Sequence, residues 1–155
     1  MQHDSFFKQQ NLSVENFLKS LPVKNVPVNY VSSPDVDLLR RVKSSFRSGP
    51  TTNQTYGELL KNLTLIKTFA SGILVPKGYI WPVDSGLYLQ PHTPLVTDAH
   101  REGLQVFVSD LTNDVPFSYN FSYDPLAECL SFIDGDDFSV DGVLSDFPVT
   151  PSAAI

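Results

Sequence analysis

Apolar residues recur along this chain in two patterns that alternate, one at helical spacing and one in short continuous runs. Steps of three and four residues, as between Val36, Leu39, Val42 and Phe46, are typical of amphipathic helices. Four such helices are predicted: between Ser33 and Gly49, from about Tyr56 to Thr68, between Thr93 and Gly103, and between Asp124 and Gly135.

Helix starts and stops support these boundaries. A side-chain cap followed by proline opens the helices at Thr93-Pro94 and Asp124-Pro125, because proline suits the first helical position. Gly103 follows the third helix, where a glycine can take the left-handed conformation. The pattern of the fourth helix predicts four inward residues: Leu126, Cys129, Leu130 and Ile133.

Short apolar runs lie between or beside these helices and predict four strands: Val26–Ser32, Gly72–Val75, Leu104–Val108 and Val140–Leu144. Strands that alternate with amphipathic helices indicate an α/β fold with a parallel sheet. Runs without alternation predict strands that are buried on both faces. The sheet could be open and doubly wound, or could be about half of a (β/α)8 barrel, which needs about 250 residues when complete.

Composition excludes several classes of protein. The 155 residues carry a formal net charge of -6 without a cluster of Lys and Arg, which argues against a nucleic-acid or anionic-membrane partner. The longest apolar runs are far too short for a transmembrane segment, and the N-terminus lacks the pattern of a signal peptide. A single cysteine, Cys129, excludes an internal disulfide framework and a cysteine-based zinc site.

Glycosylation sequons are more frequent than chance predicts. The chain has eight asparagines, and four of them begin an Asn-X-Ser/Thr sequence: Asn11, Asn53, Asn62 and Asn120. Chance would place about one sequon in such a chain, so the count favours a secreted glycoprotein. On that interpretation, the missing signal peptide predicts that the chain is part of a longer protein.

Three polar residues follow predicted strands and are candidates for a site. Lys77 follows Val75-Pro76, Asp110 follows Val108-Ser109, and Asp146 follows Leu144-Ser145. Ligands of parallel α/β folds bind beyond the carboxyl ends of the strands, so these side chains could line one mouth. A lysine there can neutralise a phosphate, and an aspartate can bind a hydroxyl group or help to hold a metal ion. The alternative is a solvated Lys77 and two aspartates that cap turns.

Other possible sites are weaker. Asp134-Gly135-Asp136-Asp137 resembles the opening of a calcium loop, but Ser139 and Ser145 stand where the EF-hand pattern needs Gly and Glu. His100 lies in the last turn of a predicted helix, where a packing or helix-dipole role is favoured over catalysis. The residues predict no catalytic constellation and no metal site.

Three segments resemble the glycerophosphodiester phosphodiesterase family. Val140–Pro148, which reads VDGVLSDFP, resembles the last strand of that family, and Asp98–Val108 resembles its penultimate helix and strand. Val28–Asp35 resembles a strand from the middle of the barrel. Lys67–Pro76 and Phe138–Ala153 are similar to the plant glycerophosphodiester phosphodiesterase-like proteins, which have two tandem domains and lie at the cell surface, usually with a lipid anchor.

This resemblance implies the C-terminal portion of a (β/α)8 TIM barrel of the phospholipase C-like phosphodiesterase type, incomplete, over residues 1–155. The reaction it implies is hydrolysis of a glycerophosphodiester to glycerol 3-phosphate and an alcohol, with a catalytic histidine and Ca²⁺ or Mg²⁺. No residue here matches the family's catalytic histidines or metal ligands, so we expect the chain alone to be inactive without the missing N-terminal half of the barrel. A family strand is also missing between Pro50 and Thr51, and Ser109-Asp110 replaces an aromatic residue.

Two further interpretations remain open at this stage. The same scaffold could serve as a non-catalytic cell-surface protein in cell-wall organisation, one that binds glycans or anionic polymers. The chain could also be a small α/β binding domain of its own, with a fortuitous resemblance.

Overall fold

The computed structural model describes residues 56–154, together with Ser13, Asn16, Phe17, Val31 and Leu39. The chain divides into two compact units, Met1–Ala70 and Ser71–Ile155. The predicted strand Val26–Ser32 and the helix predicted after Ser33 lie outside the described residues, except for Val31 and for Leu39, which is helical.

Between residues 56 and 70, the first unit has two short helices, α1 (Tyr56–Leu59) and α2 (Leu63–Lys67). The prediction of one continuous helix from Tyr56 to Thr68 is therefore wrong. Asn62 interrupts it, because its side-chain oxygen accepts a hydrogen bond from the Leu65 backbone N–H at 3.0 Å and starts a new helix.

The second unit contains a parallel three-stranded sheet in the order β1 (Gly72–Pro76), β2 (Gln105–Leu111) and β3 (Gly142–Ser145). Val75 pairs with Val108, and Val108 pairs with Val143. The predicted parallel α/β arrangement is confirmed for these three strands. Neighbours in sequence are neighbours in space, with helices in the connections, as expected for βαβ units.

β1 ends one residue later than predicted, and the boundaries of β2 and β3 differ by more than one residue. β2 continues beyond Val108 through an irregularity, where Asp110 has a φ of 67°, and pairing resumes at Leu111, which is buried. Asp110 thus lies inside the strand and not after it. β3 starts later than predicted, because the backbone N–H of Val140 donates to the carbonyl of Phe132 instead of joining the ladder.

The two faces of the sheet differ in burial, so the prediction of strands buried on both faces is wrong. One face carries Ile73, Val75, Val106 and Val108, all of which are buried. The other face carries Leu74 and Phe107, which are half-buried, and Leu144, which is 58% exposed. Among the described residues, the sheet therefore has one largely buried apolar face, on which Val143 is half-buried, and one partly exposed face.

Helices connect and follow these strands: α3 (Lys77–Ile80), α4 (Leu95–Arg101), a 3-10 turn (Tyr119–Phe121), α5 (Pro125–Ile133) and α6 (Val149–Ala154). Asp124 caps α5 as predicted, since its side chain accepts from the Leu126 N–H at 2.9 Å. Thr93 does not cap α4, because its hydroxyl instead donates to the Tyr79 carbonyl at 2.7 Å. Gly103, at the end of α4, has a φ of 71°, the left-handed conformation predicted for it.

The inward face of α5 is rotated from the predicted one. Glu128, Cys129 and Phe132 are buried, whereas Leu130, predicted to point inward, is 38% exposed. The hydrophobic pattern missed this orientation because the buried face includes a charged residue, Glu128.

Candidate functional site

The three candidate residues lie at the same edge of the sheet, at or beyond the carboxyl ends of the strands. Lys77 directly follows Pro76, which pairs with Ser109, the neighbour of Asp110. Asp146 directly follows Ser145, which pairs with Leu111. The backbone thus brings all three to one edge, but their side chains have different surroundings.

Lys77 is neither solvated nor open to the mouth of the sheet. Its residue is 8% exposed, and its Nζ lies 2.6 Å from Oε1 of Glu128, which is 5% exposed. The same Nζ lies 4.4 Å from the ring centroid of Phe117, within the range of a cation–π contact. The ion pair joins the end of β1 to the first turns of α5.

Glu128 shows the cost of burying a charge. Burial raises the pKa of the Glu128 carboxyl, and the hydrogen bond and positive charge of Lys77 oppose this rise. Burial also raises the pKa of the neighbouring Cys129 thiol, so this cysteine is a buried, protonated core residue.

Asp110 and Asp146 are both exposed. The left-handed backbone of Asp110 is a conformation that aspartate tolerates better than most residues. Beside Asp146, the hydroxyl of Ser145 donates to the Leu111 carbonyl at 2.8 Å and accepts from the Phe147 N–H at 3.0 Å. These bonds hold the start of the turn that carries Asp146.

Beyond the end of β2, a cavity of about 130 Å³ lies between the segment 112–118 and the segment 121–128. Three aromatic residues, Phe117, Phe121 and Tyr123, and three carboxylate residues are part of its lining. The carboxylates are Asp114, Asp124 and Glu128. Tyr123 has a φ of 61°, a left-handed conformation that is uncommon for an aromatic residue.

Sequence reasoning missed Glu128 and this cavity. The other buried residues of this helix face, Cys129 and Phe132, are apolar. A charged residue at this position is predicted to be buried only if its partner, Lys77, is already known. The cavity residues come from a segment without helical or strand periodicity, and only their proximity in three dimensions reveals the site.

His100 lies in the last turn of α4, as predicted, and its side chain pairs with an aspartate. Its Nε2 lies 2.9 Å from Oδ2 of Asp141, and the same carboxylate oxygen accepts from the Val106 N–H at 2.8 Å. Asp141 thereby ties the end of α4 to β2, immediately before β3. His100 and Asp141 come before β2 and β3 in the sequence, at the amino ends of these strands, whereas the candidate site lies at their carboxyl ends.

Metal-ligating clusters and membrane-spanning helices are both missing from the described part of the chain. Among its residues, no three His, Cys, Asp or Glu side chains form a group that could hold a metal ion. No helix within that part is both long enough and apolar enough to cross a membrane.

Two of the four sequon asparagines lie in the described part, Asn62 and Asn120, and both are exposed. The Oδ1 atom of Asn120 accepts from the Leu89 N–H and the Ser118 hydroxyl, each at 3.0 Å. Asn11 and Asn53 lie outside the described residues. Glycosylation at all four stays a prediction.

Comparison with known proteins relates the chain to the glycerophosphodiester phosphodiesterases, the class that its segments resemble. Over its whole length it is 54% identical to glycerophosphodiester phosphodiesterase GDPDL1 and 55% identical to glycerophosphodiester phosphodiesterase GDPDL5, both of Arabidopsis thaliana. The resemblance is thus confirmed: the chain is a homologue of a segment of these GDPDL proteins. No family model matches the chain.

The match covers only part of each relative. The chain spans 22% of GDPDL1 and 23% of GDPDL5, and the matched stretch is 170 residues against 155 here, so the relatives have additional residues within it. The chain is also 48% identical, over its whole length, to the Arabidopsis protein SUPPRESSOR OF NPR1-1 CONSTITUTIVE 4, of which it spans 15%.

Proposed function

We propose that this chain is the C-terminal portion of a (β/α)8 barrel that, when complete, hydrolyses glycerophosphodiesters to glycerol 3-phosphate and an alcohol. The observation that carries this proposal is a match, over the whole length of this chain, to proteins named glycerophosphodiester phosphodiesterase. The three parallel strands support it, because a barrel requires each strand to pair with the next one in sequence. In this proposal, residues 1–155 all derive from one barrel.

The chain contributes one wall of the substrate site. Active sites of such barrels lie at the carboxyl ends of the strands, the edge that carries Lys77, Asp110 and Asp146. Asp110 and Asp146 are exposed and can accept hydrogen bonds from the glycerol hydroxyls. Lys77, held by Glu128 at 2.6 Å, adds little net positive charge at this edge, so its role is to fix α5 against β1.

The divalent metal belongs to the half of the barrel that precedes this chain. The family resemblance implies Ca²⁺ or Mg²⁺, both of which prefer several oxygen ligands. The described residues do not fit such a site, because no group of three metal-ligating side chains occurs among them. Since no residue of the whole sequence matches the catalytic histidines or metal ligands of the family, we assign both to upstream residues and expect the isolated chain to be inactive.

The test compares the 155-residue chain with the same chain preceded by the upstream half of its parent protein. Release of glycerol 3-phosphate is measured in excess Ca²⁺ or Mg²⁺, and only the completed barrel should turn over. Asp110→Ala and Asp146→Ala should raise KM of the completed barrel, with Asp136→Ala, an exposed acidic residue elsewhere, as the control. Metal-dependent turnover by the isolated chain would disprove the assignment of the chemistry to the missing half.

A secreted parent is part of the same proposal and is supported by the four sequons, whereas its lipid anchor and its place at the cell surface are carried over from the family resemblance. The second candidate function is a non-catalytic role in cell-wall organisation on the same scaffold. One observation favours keeping it: a relative at 48% identity has a name that states no phosphodiesterase activity. A completed barrel that binds wall polymers, yet releases no glycerol 3-phosphate with either metal, would support this alternative.

A further inference from the structure

Three exposed tyrosines form a cluster where the segment after α3 meets the 3-10 turn. Tyr88, Tyr119 and Tyr123 are 57%, 42% and 64% exposed. The ring centroids of Tyr88 and Tyr119 lie 5.6 Å apart, and those of Tyr119 and Tyr123 are separated by the same distance. Contiguous aromatic surface that is open to solvent commonly marks a binding site. We call these three residues the tyrosine cluster.

The hydroxyl groups of the tyrosine cluster lie close to one another. A hydrogen bond with Tyr119 raises the pKa of the Tyr123 hydroxyl, and repulsion between the phenolate charges of Tyr119 and Tyr88 and that of Tyr123 contributes to the rise. The cluster therefore combines apolar ring faces with hydroxyls that can donate and accept hydrogen bonds. A pyranose sugar has the complementary surface, because its C–H groups form an apolar face and its hydroxyls surround that face.

Asn120, one of the four sequon asparagines, lies beside the tyrosine cluster. It directly follows Tyr119. Its Oδ1 accepts at 3.0 Å from the backbone N–H of Leu89, which directly follows Tyr88. The Tyr119 N–H in turn donates to the Leu87 carbonyl at 2.9 Å. These two hydrogen bonds join the segments that carry the tyrosines and place Asn120 between them.

Hydrogen bonds also fix the direction in which the Asn120 amide points. A backbone N–H can only donate, so the atom that faces Leu89 is the carbonyl oxygen and not the nitrogen. The hydroxyl of Ser118, which is buried, donates to the same oxygen at 3.0 Å. An N-linked glycan replaces one hydrogen on Nδ2 and leaves the carbonyl in place, so both bonds survive glycosylation. The first sugar is then attached to an amide of fixed orientation.

We propose that the tyrosine cluster is a carbohydrate-binding surface, and that its occupant is the glycan attached to Asn120 of the same chain. The inference rests on the secreted parent that forms part of the proposed function. Tyrosines offer a large, rigid and amphipathic contact area and lose little conformational freedom on binding. Stacking of the first sugars covers the rings, which removes exposed aromatic surface from the folded chain.

The covalent link explains why a weak contact is sufficient. A ligand that is attached through a short linker has an effective concentration in the millimolar range at its site. A sugar that stacks on exposed rings with a Kd of about 1 mM is therefore bound for about half of the time or more. The same glycan is bulky and hinders a second copy of the chain from covering the rings.

Iodination of tyrosines measures whether the glycan covers the rings. The chain is expressed through a eukaryotic secretory pathway and is compared with Ser122→Ala, which lacks the Asn120 sequon. All three tyrosines of the cluster should react about twofold to tenfold more slowly when the glycan is present. Tyr79, which is 45% exposed and lies in α3, is the internal control and should react at the same rate in both samples.

Nuclear Overhauser contacts locate the first sugar directly. The glycans are trimmed by an endoglycosidase to a single N-acetylglucosamine. The acetyl methyl group of the sugar on Asn120 should then show contacts with ring protons of Tyr119 and of at least one other tyrosine of the cluster. The same contacts should be missing in Ser122→Ala.

Tyr119 contacts both other rings, so its removal should disrupt the surface. Tyr119→Leu keeps the sequon and should abolish the protection of Tyr88 and Tyr123, whereas Tyr79→Leu should leave that protection unchanged. Tyr123→Leu removes the most exposed ring of the cluster and provides the test if Tyr119→Leu does not fold. Intact mass spectrometry and thermal unfolding show that each variant carries the glycan and is folded.

The possible results separate this inference from the proposed function. Equal reaction rates with and without the Asn120 glycan, or no contact between its first sugar and the rings, would overturn this inference alone. Protection that persists in Ser122→Ala and rises with protein concentration would also overturn it, because a second copy would then cover the cluster. A secreted chain without a glycan at Asn120 would refute both this inference and the expected glycosylation, and hydrolysis by the completed barrel is measured independently of all these results.

Discussion

Lys77 and Glu128 form an ion pair that is almost completely removed from water. Each charge loses its hydration on folding, and their mutual attraction at 2.6 Å compensates for much of that loss. A buried pair of this kind contributes little net stability, but removing one partner leaves the other charge buried alone. The pair therefore specifies where α5 docks more than it stabilises the fold.

Removing Lys77 should destabilise the chain in a pH-dependent manner. Burial raises the pKa of Glu128 above its ordinary value of 4.5, and Lys77→Met removes the interactions that oppose this rise. In the folded variant, Glu128 then keeps its proton at pH values at which the unfolded chain releases it. The free energy of unfolding of the variant is therefore highest below about pH 4.5 and decreases as the pH rises. We expect urea unfolding to show a loss of about 3–5 kcal/mol at pH 7 and a smaller loss at pH 4.

Lys61→Met removes an exposed positive charge and is the control for this experiment. It should change the free energy of unfolding by less than about 0.5 kcal/mol at either pH. An equal loss at both pH values in Lys77→Met would show that the Glu128 carboxylate is not the source of the destabilisation.

Glycosylation belongs to the residue scale as well. We expect the chain to receive glycans at Asn62 and Asn120 when it is expressed through a eukaryotic secretory pathway, because both asparagines are exposed. Thr64→Ala and Ser122→Ala remove the two sequons but keep the asparagines, so the hydrogen bonds of Asn120 are preserved. Each variant should lose the mass of one glycan in intact mass spectrometry, and unchanged masses would refute the prediction.

At the scale of elements, side-chain contacts change the strand ends and the buried helix faces that the hydrophobic pattern predicts. The apolar run ends at Val108, but β2 resumes at Leu111 because that side chain is also buried. The buried face of α5 includes Glu128 because Lys77 offers it a partner. In both cases, tertiary contacts outweigh the local pattern.

Gly142, at the start of β3, is required by the packing of one aromatic ring. A Cβ atom at this position would lie 2.8 Å from the Phe107 ring on the neighbouring strand. We expect Gly142→Ala to destabilise the chain by about 1–3 kcal/mol in urea unfolding, because the half-buried ring must move away from its place against the strand.

Gly78→Ala provides the matched control, since a Cβ atom there meets nothing within 4 Å and the residue lies in helix α3. This substitution should be neutral or stabilising by up to about 1 kcal/mol. Similar losses in both variants would indicate a general intolerance of alanine and not a contact with Phe107.

At the scale of the whole molecule, the second unit has one well-covered sheet face and one partial face. Leu144, on the partial face, is 58% exposed, and β3 is an edge strand of the sheet among the described residues. Exposed apolar residues beside an unpaired strand edge favour association between chains. The missing half of the proposed barrel would pair this edge and cover this face.

The isolated chain should therefore self-associate, whereas the completed barrel should be monomeric. Light scattering after size-exclusion chromatography measures the difference. Leu144→Lys should reduce self-association of the isolated chain, because a charge on the exposed position opposes edge pairing. Ser139→Lys serves as the control, because Ser139 is exposed and lies outside the strands. A monomeric wild-type chain would contradict the prediction of self-association.

Much of the fold could be predicted from short-range patterns. Asp124-Pro125 marked the start of α5, Gly103 the end of α4, and the apolar runs the centres of β1, β2 and β3. These features are local, because capping, backbone conformation and apolar periodicity depend on residues a few positions apart. The resemblance to the glycerophosphodiester phosphodiesterases was likewise visible in the order and spacing of its segments.

The tertiary structure alone decided which polar groups meet. Lys77 and Glu128 are 51 positions apart, and His100 and Asp141 are 41 positions apart, so no local pattern relates them. The aromatic and acidic cavity beyond β2 is likewise formed by residues of an irregular segment folded onto the start of α5. A charge is buried only where the fold provides its partner, and for that reason sequence alone placed Lys77 at the right edge of the sheet but in the wrong surroundings.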